Sequence, residues 1–326
     1  MAGASGQTAI FDNLSAITRD VYMPGLVDNI YDSNPLLKRL RAKADFVNGG
    51  EFLREQVLYA KNTSKGSYSG YDILNTAPTE KRASAVFAWA HYYVNISIAR
   101  TDLLKNNGEA AVVRYLESEL KSAELDMSDQ LGTGIYDNGA DADGLVGLRE
   151  VTGIDRSYGG IDSTTYTWWD SQVDSDTHTR ANMADSTNAS YILDQFRDMW
   201  GVCTIGRDHP TIILTTQAVW DILWSQTADN GRYNFESGAE LGNIGYQVLQ
   251  FNGIPVVVDS HCPNGFTFFL NENYLSLKVH PEDDFYFEPF QKPVNQSVHI
   301  AKVFWSGQLM CNNPRMQGVF SSLGAS

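Results

Sequence analysis

The sequence predicts a mixed α+β fold with an N-terminal arm, an extended β-hairpin, one long helix, and a C-terminal half that combines helices with a sheet. Three observations carry this prediction. Apolar residues alternate with other residues from 83 to 100, recur at three- and four-residue steps from 113 to 131, and form short segments of both kinds after residue 191. With 326 residues and 43% hydrophobic content, the chain is able to bury a substantial core.

The arm, residues 8–41, is divided by Pro24 and Pro35 into two short amphipathic helical segments, Ile10–Val21 and Leu26–Tyr31. An arm of this kind forms little core of its own. It ends in a basic cluster, which we interpret as a solvated helix face in preference to a contact with nucleic acid or a scaffold. The cluster consists of Lys38, Arg39, Arg41 and Lys43.

The segments Glu51–Tyr59 and Ala83–Arg100 predict the two strands of an extended hairpin. Residues 61–82 between them are rich in Ser, Thr, Gly, Asn and Lys and predict a polar tip. At ~3.3 Å per residue the returning strand would span roughly 50 to 60 Å, more than a compact domain of this size needs. Because an isolated two-stranded ribbon is marginally stable in water, we expect this hairpin to lie on another subunit.

The strongest helical pattern begins at Asn107 or Gly108, and we expect the helix to close at Gly132 and Gly134. One face should pack against the protein while the other faces water. The apolar residues that define the packed face are Val113, Leu116, Leu120, Ala123, Met127 and Leu131.

The C-terminal half begins after residues 137–188, which are rich in Gly, Asp, Ser and Thr and predict an irregular connection. A helix at Tyr191–Val202, a buried strand at Thr211–Thr215 and a helix at Gln217–Trp224 follow. A polar, glycine-rich loop, Thr227–Gly245, precedes the last strands. These strands are predicted at Gln247–Phe251, Ile254–Asp259, Phe266–Asn271, Leu275–Val279 and Val298–Cys311.

The charge balance and the cysteines argue against several classes of function. A formal net charge of -15 repels phosphate and disfavours nucleic-acid binding through bulk basic attraction. Cys203, Cys262 and Cys311 are far apart and form no Cys-x-x-Cys pair, so neither a disulfide framework nor a zinc site is predicted. The sequence has no secretory signal and no run of ~18 apolar residues, so we expect a soluble, intracellular protein.

The sequence contains no complete catalytic signature. Gly66–Gly70 has the glycine spacing of a nucleophile elbow, but Tyr68 occupies the nucleophile position in a predicted loop tip. Gly132-Thr-Gly134 lacks the third glycine of a dinucleotide fingerprint, and neither a phosphate-binding loop nor a His-Glu-x-x-His pair occurs. His209, beside Asp208, is the best remaining candidate for a hydrolytic site, but a lone histidine of this kind is usually structural. We therefore predict no catalytic, cofactor-binding or metal-binding residues.

One acidic run has part of the spacing of a calcium-binding helix-loop-helix loop. Asp141, Asp143, Gly144 and Glu150 occupy its third, fifth, sixth and twelfth places, but the first place holds Gly139. Since the acidic ligand of the first place is missing and no helix is predicted after Glu150, we interpret the run as a solvent-exposed acidic turn.

In their order, the predicted elements resemble the major capsid proteins of tailed bacteriophages, the Hong Kong 97 fold family. The resemblance spans nearly the whole chain and depends on order and spacing, because no single motif is diagnostic. It is sharpest where the long helix runs into Asp141–Leu148, at Pro210–Trp220 and at Phe251–Asp259. The segment Val298–Phe320, with Asn313-Pro314-Arg315, closes the pattern.

The resemblance implies a division of the chain into five regions. These are an N-terminal arm (1–45), an extended loop (46–100), a peripheral domain with the spine helix (101–185), an axial domain (186–279), and a peripheral return with the C-terminal tail (280–326). The loop Thr227–Gly245 would approach the centre of a capsomer.

It also implies that the chain is a structural protein and not an enzyme. Copies of it would assemble into the hexamers and pentamers of an icosahedral head around double-stranded DNA, which would meet an acidic inner wall without specific binding. The other expected partners are a portal and decoration proteins. Because the arm begins at the initiator Met, with no room for a fused scaffolding region, we expect either a separate scaffold protein or a scaffold-independent route; no membrane partner is expected. Assembly in the host bacterial cytoplasm would place the protein in the virion.

Some family members form isopeptide cross-links between a lysine on the extended loop and an asparagine on a neighbour. Lys61 and Lys65 lie near the predicted tip, and Asn312 or Asn313 would be the partner by position only. Covalent bonding also needs an aligned acid in a dry site, so we expect non-covalent contacts between subunits.

Three alternatives stay open from the sequence. An encapsulin, which is a cellular compartment shell with the same fold, would form shells without DNA. A hydrolase using His209 would be active as a monomer or small oligomer and would lose activity on His209→Ala. A minor decoration or tail component would be present at low copy number in each particle.

Overall fold

The computed structural model of the protein describes residues 26, 29–30, 34–101, 109–228 and 248–325. The predicted helical segment Ile10–Val21 and nearly all of the predicted loop Thr227–Gly245 lie outside these residues. Of the segment Leu26–Tyr31, the residues that are described are helical.

The described helices and strands alternate along the chain. The α-helices are α1 (Pro35–Arg41), α2 (Glu109–Ile135), α3 (Leu148–Val151), α4 (Arg180–Ala184), α5 (Ile192–Cys203) and α6 (Gln217–Ala228). The first strands are β1 (Asp45–Phe46), β2 (Leu53–Leu58), β3 (Arg82–Phe87), β4 (Ala90–Ala99), β5 (Ser157–Tyr158), β6 (Ile161–Asp162), β7 (Gln172–Asp174) and β8 (His178–Thr179). The remaining strands are β9 (Ile212–Thr215), β10 (Val248–Phe251), β11 (Ile254–Val258), β12 (Thr267–Leu270), β13 (Leu275–Gln291), β14 (Val298–Cys311), β15 (Gly318–Phe320) and β16 (Leu323–Ala325).

The first sheet has the strand order β1-β13-β14-β4 and is covered on one side by the long helix α2, which packs against β4. Strands β14 and β4 are antiparallel over ten positions, from Val298 opposite Ala99 to Gly307 opposite Ala90. Each residue of β4 therefore has a main-chain neighbour within the same chain, and this pairing satisfies backbone groups that an isolated ribbon would leave to water.

The single long strand predicted at Ala83–Arg100 is wrong. The chain breaks at Ala88 and Trp89, so that β3 pairs with β2 while β4 joins the first sheet. The hairpin of β2 and β3 is consequently six residues long on each side, much shorter than the predicted 50 to 60 Å ribbon. The period-two pattern continues across the break because both pieces are strands, and alternation does not reveal which partner a strand has.

The second sheet has the order β10-β11-β9-β12-β15-β7, and its central strands β9, β11 and β12 are buried on both faces. Neighbouring residues of its central strands point to opposite sides: Ile213 and Phe269 pack with α5, whereas Leu214 and Phe268 belong to the larger core. Helix α5 and strands β9 to β12 lie within a residue or two of their predicted positions. Burial on both faces explains why these strands are continuous apolar runs.

The C-terminal tail lies in this second sheet. Strand β15 pairs with β12 on one side and with β7 on the other. Gly318 sits where a Cβ atom would come within 2.5 Å of the Cys203 sulfur, so the close contact between β15 and α5 requires a glycine.

Helix α2 does not close at its glycines but continues to Ile135. A Cβ atom at Gly132 would lie 2.7 Å from the ring of His261, and one at Gly134 would lie 2.6 Å from the hydroxyl of Tyr92. The two glycines therefore allow close packing on the helix surface, a role that sequence cannot distinguish from helix termination.

Strand β13 is much longer than the predicted Leu275–Val279. It runs to Gln291 through Pro281 and Pro289, with shifts of register against β14 that include one between Val279 and Asp284. Prolines and acidic residues conceal this strand in the sequence, and the long partner β14 holds it in place. Within residues 137–188, predicted as irregular, the chain forms α3, α4 and β5 to β8.

Candidate interaction surface

The hairpin tip, defined as residues 59–81 between β2 and β3, exposes large apolar side chains. Tyr71 and Ile73 are fully exposed, and Tyr68 and Leu74 are more than half exposed. Single surface hydrophobics are ordinary, but four within seven positions form a patch of the kind found at interaction sites. The sequence predicts this segment only as a polar tip, because its many Ser, Thr, Gly and Asn residues outnumber these four apolar ones.

Polar groups within the hairpin tip connect its two sides. The hydroxyl groups of Thr63 and Thr79 are 2.8 Å apart, and the Ser64 hydroxyl donates to the Ala77 carbonyl at 2.7 Å. These contacts cross the tip, so the two sides are held together while the apolar side chains point outward.

The hairpin root, defined as strands β2 and β3, is anchored within its own chain. The Phe87 ring meets the Tyr158 ring edge-on at 5.0 Å, and the Val86 backbone N–H donates to the Gly159 carbonyl at 2.8 Å. Tyr59, at the start of the tip, stacks on Trp168 at 4.8 Å. The expectation that the whole hairpin has no partner in its own chain is therefore wrong for the root.

A pocket of about 750 Å³ opens where the hairpin root leaves the first sheet. The indole N–H of Trp89 donates to the Gly50 carbonyl at 2.8 Å, which links the two chain segments that enter the root. The Ser306 hydroxyl donates to the carboxylate of Asp283 and lies 2.7 Å from Nδ1 of His91. Since the hydroxyl lies between the imidazole and the carboxylate, this order differs from a catalytic triad, in which the imidazole is in the middle.

Among the described residues, no acidic side chain pairs with the hydrolase candidate His209. Its Nδ1 lies 2.8 Å from the Pro210 carbonyl and its ring stacks on Trp200 at 5.1 Å. The neighbouring Asp208 accepts a hydrogen bond from the Tyr274 hydroxyl at 2.8 Å. These contacts are those of two side chains that serve packing and loop structure.

A polar cluster that the sequence does not predict joins α2 to the loop after β11. His261 lies between Asp129, 3.2 Å from Nε2, and buried Asp259, 3.4 Å from Nδ1, while the Tyr136 hydroxyl donates to Asp259 at 2.8 Å. The hydrogen bond to Asp259, together with the charges of both carboxylates, raises the pKa of His261. In the sequence, only Asp259 and His261 are near each other. Asp129 of α2, which completes the cluster, is more than 100 residues away.

The calcium-like run forms a local turn. One carboxylate oxygen of Asp141 accepts the backbone N–H of Asp143 at 3.2 Å, and burial raises the pKa of Glu150 in α3. The described part of the chain contains no group of three or more His, Cys, Asp or Glu side chains placed to hold a metal ion.

The cysteines are buried and free. Burial raises the pKa of Cys203 and of Cys311 to about 12, and it raises the pKa of Cys262 as well. All three thiols are therefore protonated at neutral pH and are poor nucleophiles.

Two residues of the basic cluster at the end of the arm are ion-paired within the chain, whereas Lys43 is exposed as expected of a solvated face. Arg39 forms a bidentate ion pair with buried Glu272, in which both N–O distances are 2.6 Å. Arg41 forms a second ion pair, with Asp284, at 2.5 Å. Pairing of this kind holds α1 against the rest of the chain. It was missed because the acidic partners are more than 230 residues away in sequence.

The comparisons with known proteins concern the fold. No family model and no curated protein matches the sequence. None of the described helices is long and apolar enough to span a bilayer.

Solved capsid structures are similar to this chain over most of its length. The capsid asymmetric unit of cyanophage A-1(L) is 16% identical with a TM-score of 0.62, covering 90% of this chain and 94% of that chain. The capsid of a native GTA particle is 11% identical with a TM-score of 0.58, covering 87% and 89%. The capsid of Myoviridae phage XM1 is 12% identical with a TM-score of 0.55, covering 87% and 91%. The chain has the fold of these capsid proteins, which confirms the Hong Kong 97 type expected from the sequence.

The same fold occurs in a shell of another origin. The SrpI encapsulin complex from Synechococcus elongatus PCC 7942 is 10% identical with a TM-score of 0.51, covering 89% of this chain and 88% of that chain. This similarity is weaker than the similarity to the phage and GTA capsids.

Proposed function

We propose that this chain is the major capsid protein of a tailed bacteriophage, a structural protein that assembles with copies of itself into the icosahedral shell of the virion. The whole-chain similarity to phage capsids supports the role of a shell subunit. Hexamers and pentamers of this chain would enclose double-stranded DNA.

The single observation that carries the proposal is the contrast between the exposed hairpin tip and its anchored root. A protein that acts as a monomer gains nothing from a segment with four exposed apolar side chains. In a shell, a neighbouring copy covers those side chains, and each Å² of apolar surface removed from water contributes about 25 cal/mol. Repetition of this contact around each capsomer would hold the shell together without covalent cross-links.

The proposed peripheral and axial domains correspond to the two sheets. The first sheet with α2 would form the peripheral domain, and the second sheet with α5 and α6 would form most of the axial domain, which β15 also enters. Assembly in the bacterial cytoplasm would use a separate scaffold protein and a portal, with decoration proteins on the outer surface. The formal net charge of -15 is compatible with a shell whose inner wall does not bind packaged DNA tightly, because acidic groups repel phosphates.

The experiment replaces residues 61–79 with Asn-Gly, a pair that closes two-residue β-hairpins and keeps the register of β2 and β3. We expect a folded subunit by circular dichroism that forms no particles by electron microscopy and sedimentation. A second variant, in which Tyr68, Tyr71, Ile73 and Leu74 all become Ser, keeps the length of the hairpin tip and should also fail to assemble. Normal shells from both variants would contradict the proposal.

The encapsulin fold similarity makes a cellular compartment shell the second candidate. The two functions differ in their contents. Shells purified with the rest of their operon should contain double-stranded DNA if the chain is a phage capsid protein, and a cargo protein without DNA if it is an encapsulin.

A further inference from the structure

The pocket beside the hairpin root has an aromatic and acidic lining. Trp89 and Tyr286 provide rings and Glu282 and Asp283 provide carboxylates, while His91 and His280 complete this part of the wall. The described residues that line the pocket include no Lys or Arg. A lining of this composition favours a cationic group, since an ammonium is attracted both by carboxylates and by aromatic rings.

Both carboxylates retain acceptor capacity for such a group. Glu282 is exposed, and its backbone N–H lies 3.3 Å from Nδ1 of His280, so its described contact does not use the carboxylate. Asp283 accepts the hydroxyl of Ser306 through one oxygen and keeps its other oxygen. An ionised carboxylate offers about four acceptor positions, of which one hydrogen bond uses a single one.

One half of the hairpin tip has the complementary charge. Residues 59–71 contain Lys61 and Lys65 and no acidic residue, whereas the returning half, residues 72–81, contains Asp72, Glu80 and Lys81. Lys65 is exposed and is followed by Gly66, so its ammonium extends from an uncrowded part of the backbone. The exposed ring of Tyr68 lies three residues further along.

The tip cannot reach the pocket of its own copy. The six paired positions of β2 and β3 span about 20 Å at ~3.3 Å per residue, which is several times the length of a lysine side chain. Lys65 of the same copy is therefore too far from the pocket, whereas the hairpin tip of a second copy carries the same lysine and can approach it from outside.

We propose that the pocket lined by Trp89, Glu282, Asp283 and Tyr286 is the receptor for the ammonium of Lys65 from the hairpin tip of a second copy of this chain. The inference rests on the proposed shell function and adds the residues that recognise each other. The pocket is larger than one lysine side chain, so an adjacent tip residue enters with it.

Charge reversal tests the pairing. Lys65→Glu and Glu282→Lys each place like charges at the contact and should raise the protein concentration needed for assembly about tenfold. The double variant restores an opposite-charge pair and should assemble at nearly the wild-type concentration. Lys61→Glu is the matched control, because it changes the tip charge equally and should not be rescued by Glu282→Lys. Single variants that assemble like the wild type, or rescue of Lys61→Glu instead, would overturn the assignment.

A zero-length carbodiimide cross-linker provides a direct readout on assembled wild-type shells. It should join the Lys65 peptide to the Glu282–Asp283 peptide, and the product should migrate as a dimer or larger species under denaturing conditions. Cross-links from this pocket only to other lysines, or to another protein, would exclude Lys65 as the occupant. If wild-type protein forms no particles, the shell function and this inference both fail; if it forms particles without this contact, only the inference fails.

Discussion

The hairpin root and the hairpin tip belong to one continuous hairpin but differ in what covers their apolar side chains. In the root, Phe87 is buried against Tyr158 of the same chain. In the tip, Tyr71 and Ile73 are fully exposed. The comparison separates two uses of apolar residues. Those of the root stabilise the subunit, and those of the tip are exposed and available for contact with another molecule. Substitutions in the two regions should therefore affect different measurements.

The largest effect on subunit stability is expected from Phe87→Ala in the root. Removing a buried aromatic ring typically costs about 3 to 5 kcal/mol, the sum of lost burial and the cavity left behind. The free energy of unfolding of unassembled subunits, measured by urea denaturation, should fall by that amount. Tyr71→Ala is the matched tip variant and should change it by less than about 0.5 kcal/mol. Equal losses from both substitutions would abolish the distinction between root and tip.

A smaller effect is expected from Gly159→Ala, which lies under the root. Gly159 has a φ of 59°, and a Cβ atom there would lie 2.7 Å from the Phe87 ring. Backbone strain and overpacking together should cost about 2 to 4 kcal/mol. Gly160→Ala is a close control, because Gly160 has a φ of 74° with open space around its Cβ position, and should cost only about 1 kcal/mol. Thermal and urea unfolding of both variants would measure the difference.

An even smaller effect on stability is expected from the double variant Tyr71→Ser and Ile73→Ser in the tip. The unfolding free energy should stay within about 0.5 kcal/mol of the wild-type value, because both side chains are already in water. Light scattering of the same protein should nevertheless show slower and weaker assembly. Unchanged assembly would mean that these two side chains are not part of the contact between copies.

The pH dependence contributed by His261 tests a third region anchored within the chain, the contact between α2 and the loop after β11. The pKa of His261 is raised in the folded protein above its ordinary value of 6.5, mainly by its hydrogen bond to Asp259. The protonated ring therefore stabilises the folded state below pH 6.5, and this contribution is lost as the pH rises through the higher folded pKa. The unfolding free energy of His261→Gln should depend less on pH in that window than that of the wild type. Identical pH profiles would show that the imidazole charge does not contribute.

Much of the fold could be predicted from local pattern. The helices α2 and α5 and the strands β9 to β12 follow from apolar spacing, because a face that packs against a core must repeat with the period of its element. The errors arose where one residue type has two uses. Gly132 and Gly134 pack against His261 and Tyr92 inside a helix, and Pro281 and Pro289 lie within a long strand.

The candidate site was less predictable than the fold. The sequence located the hairpin tip and its lysines, but composition concealed the apolar patch formed by Tyr68, Tyr71, Ile73 and Leu74. The pocket could not be inferred, because Trp89 and Asp283 are almost 200 residues apart and meet only through the pairing of β4, β14 and β13.

The sequence by itself determined the order of elements, the acidic balance and the class of the fold, since each depends on residues that are near one another along the chain or on a sum over all of them. Only the tertiary structure decided that β4 belongs to the first sheet, that Arg39 pairs with Glu272, and that the root is covered while the tip is not. The physical reason is that burial and ion pairing depend on distance in space, and apolar alternation is the same whichever surface a strand eventually meets.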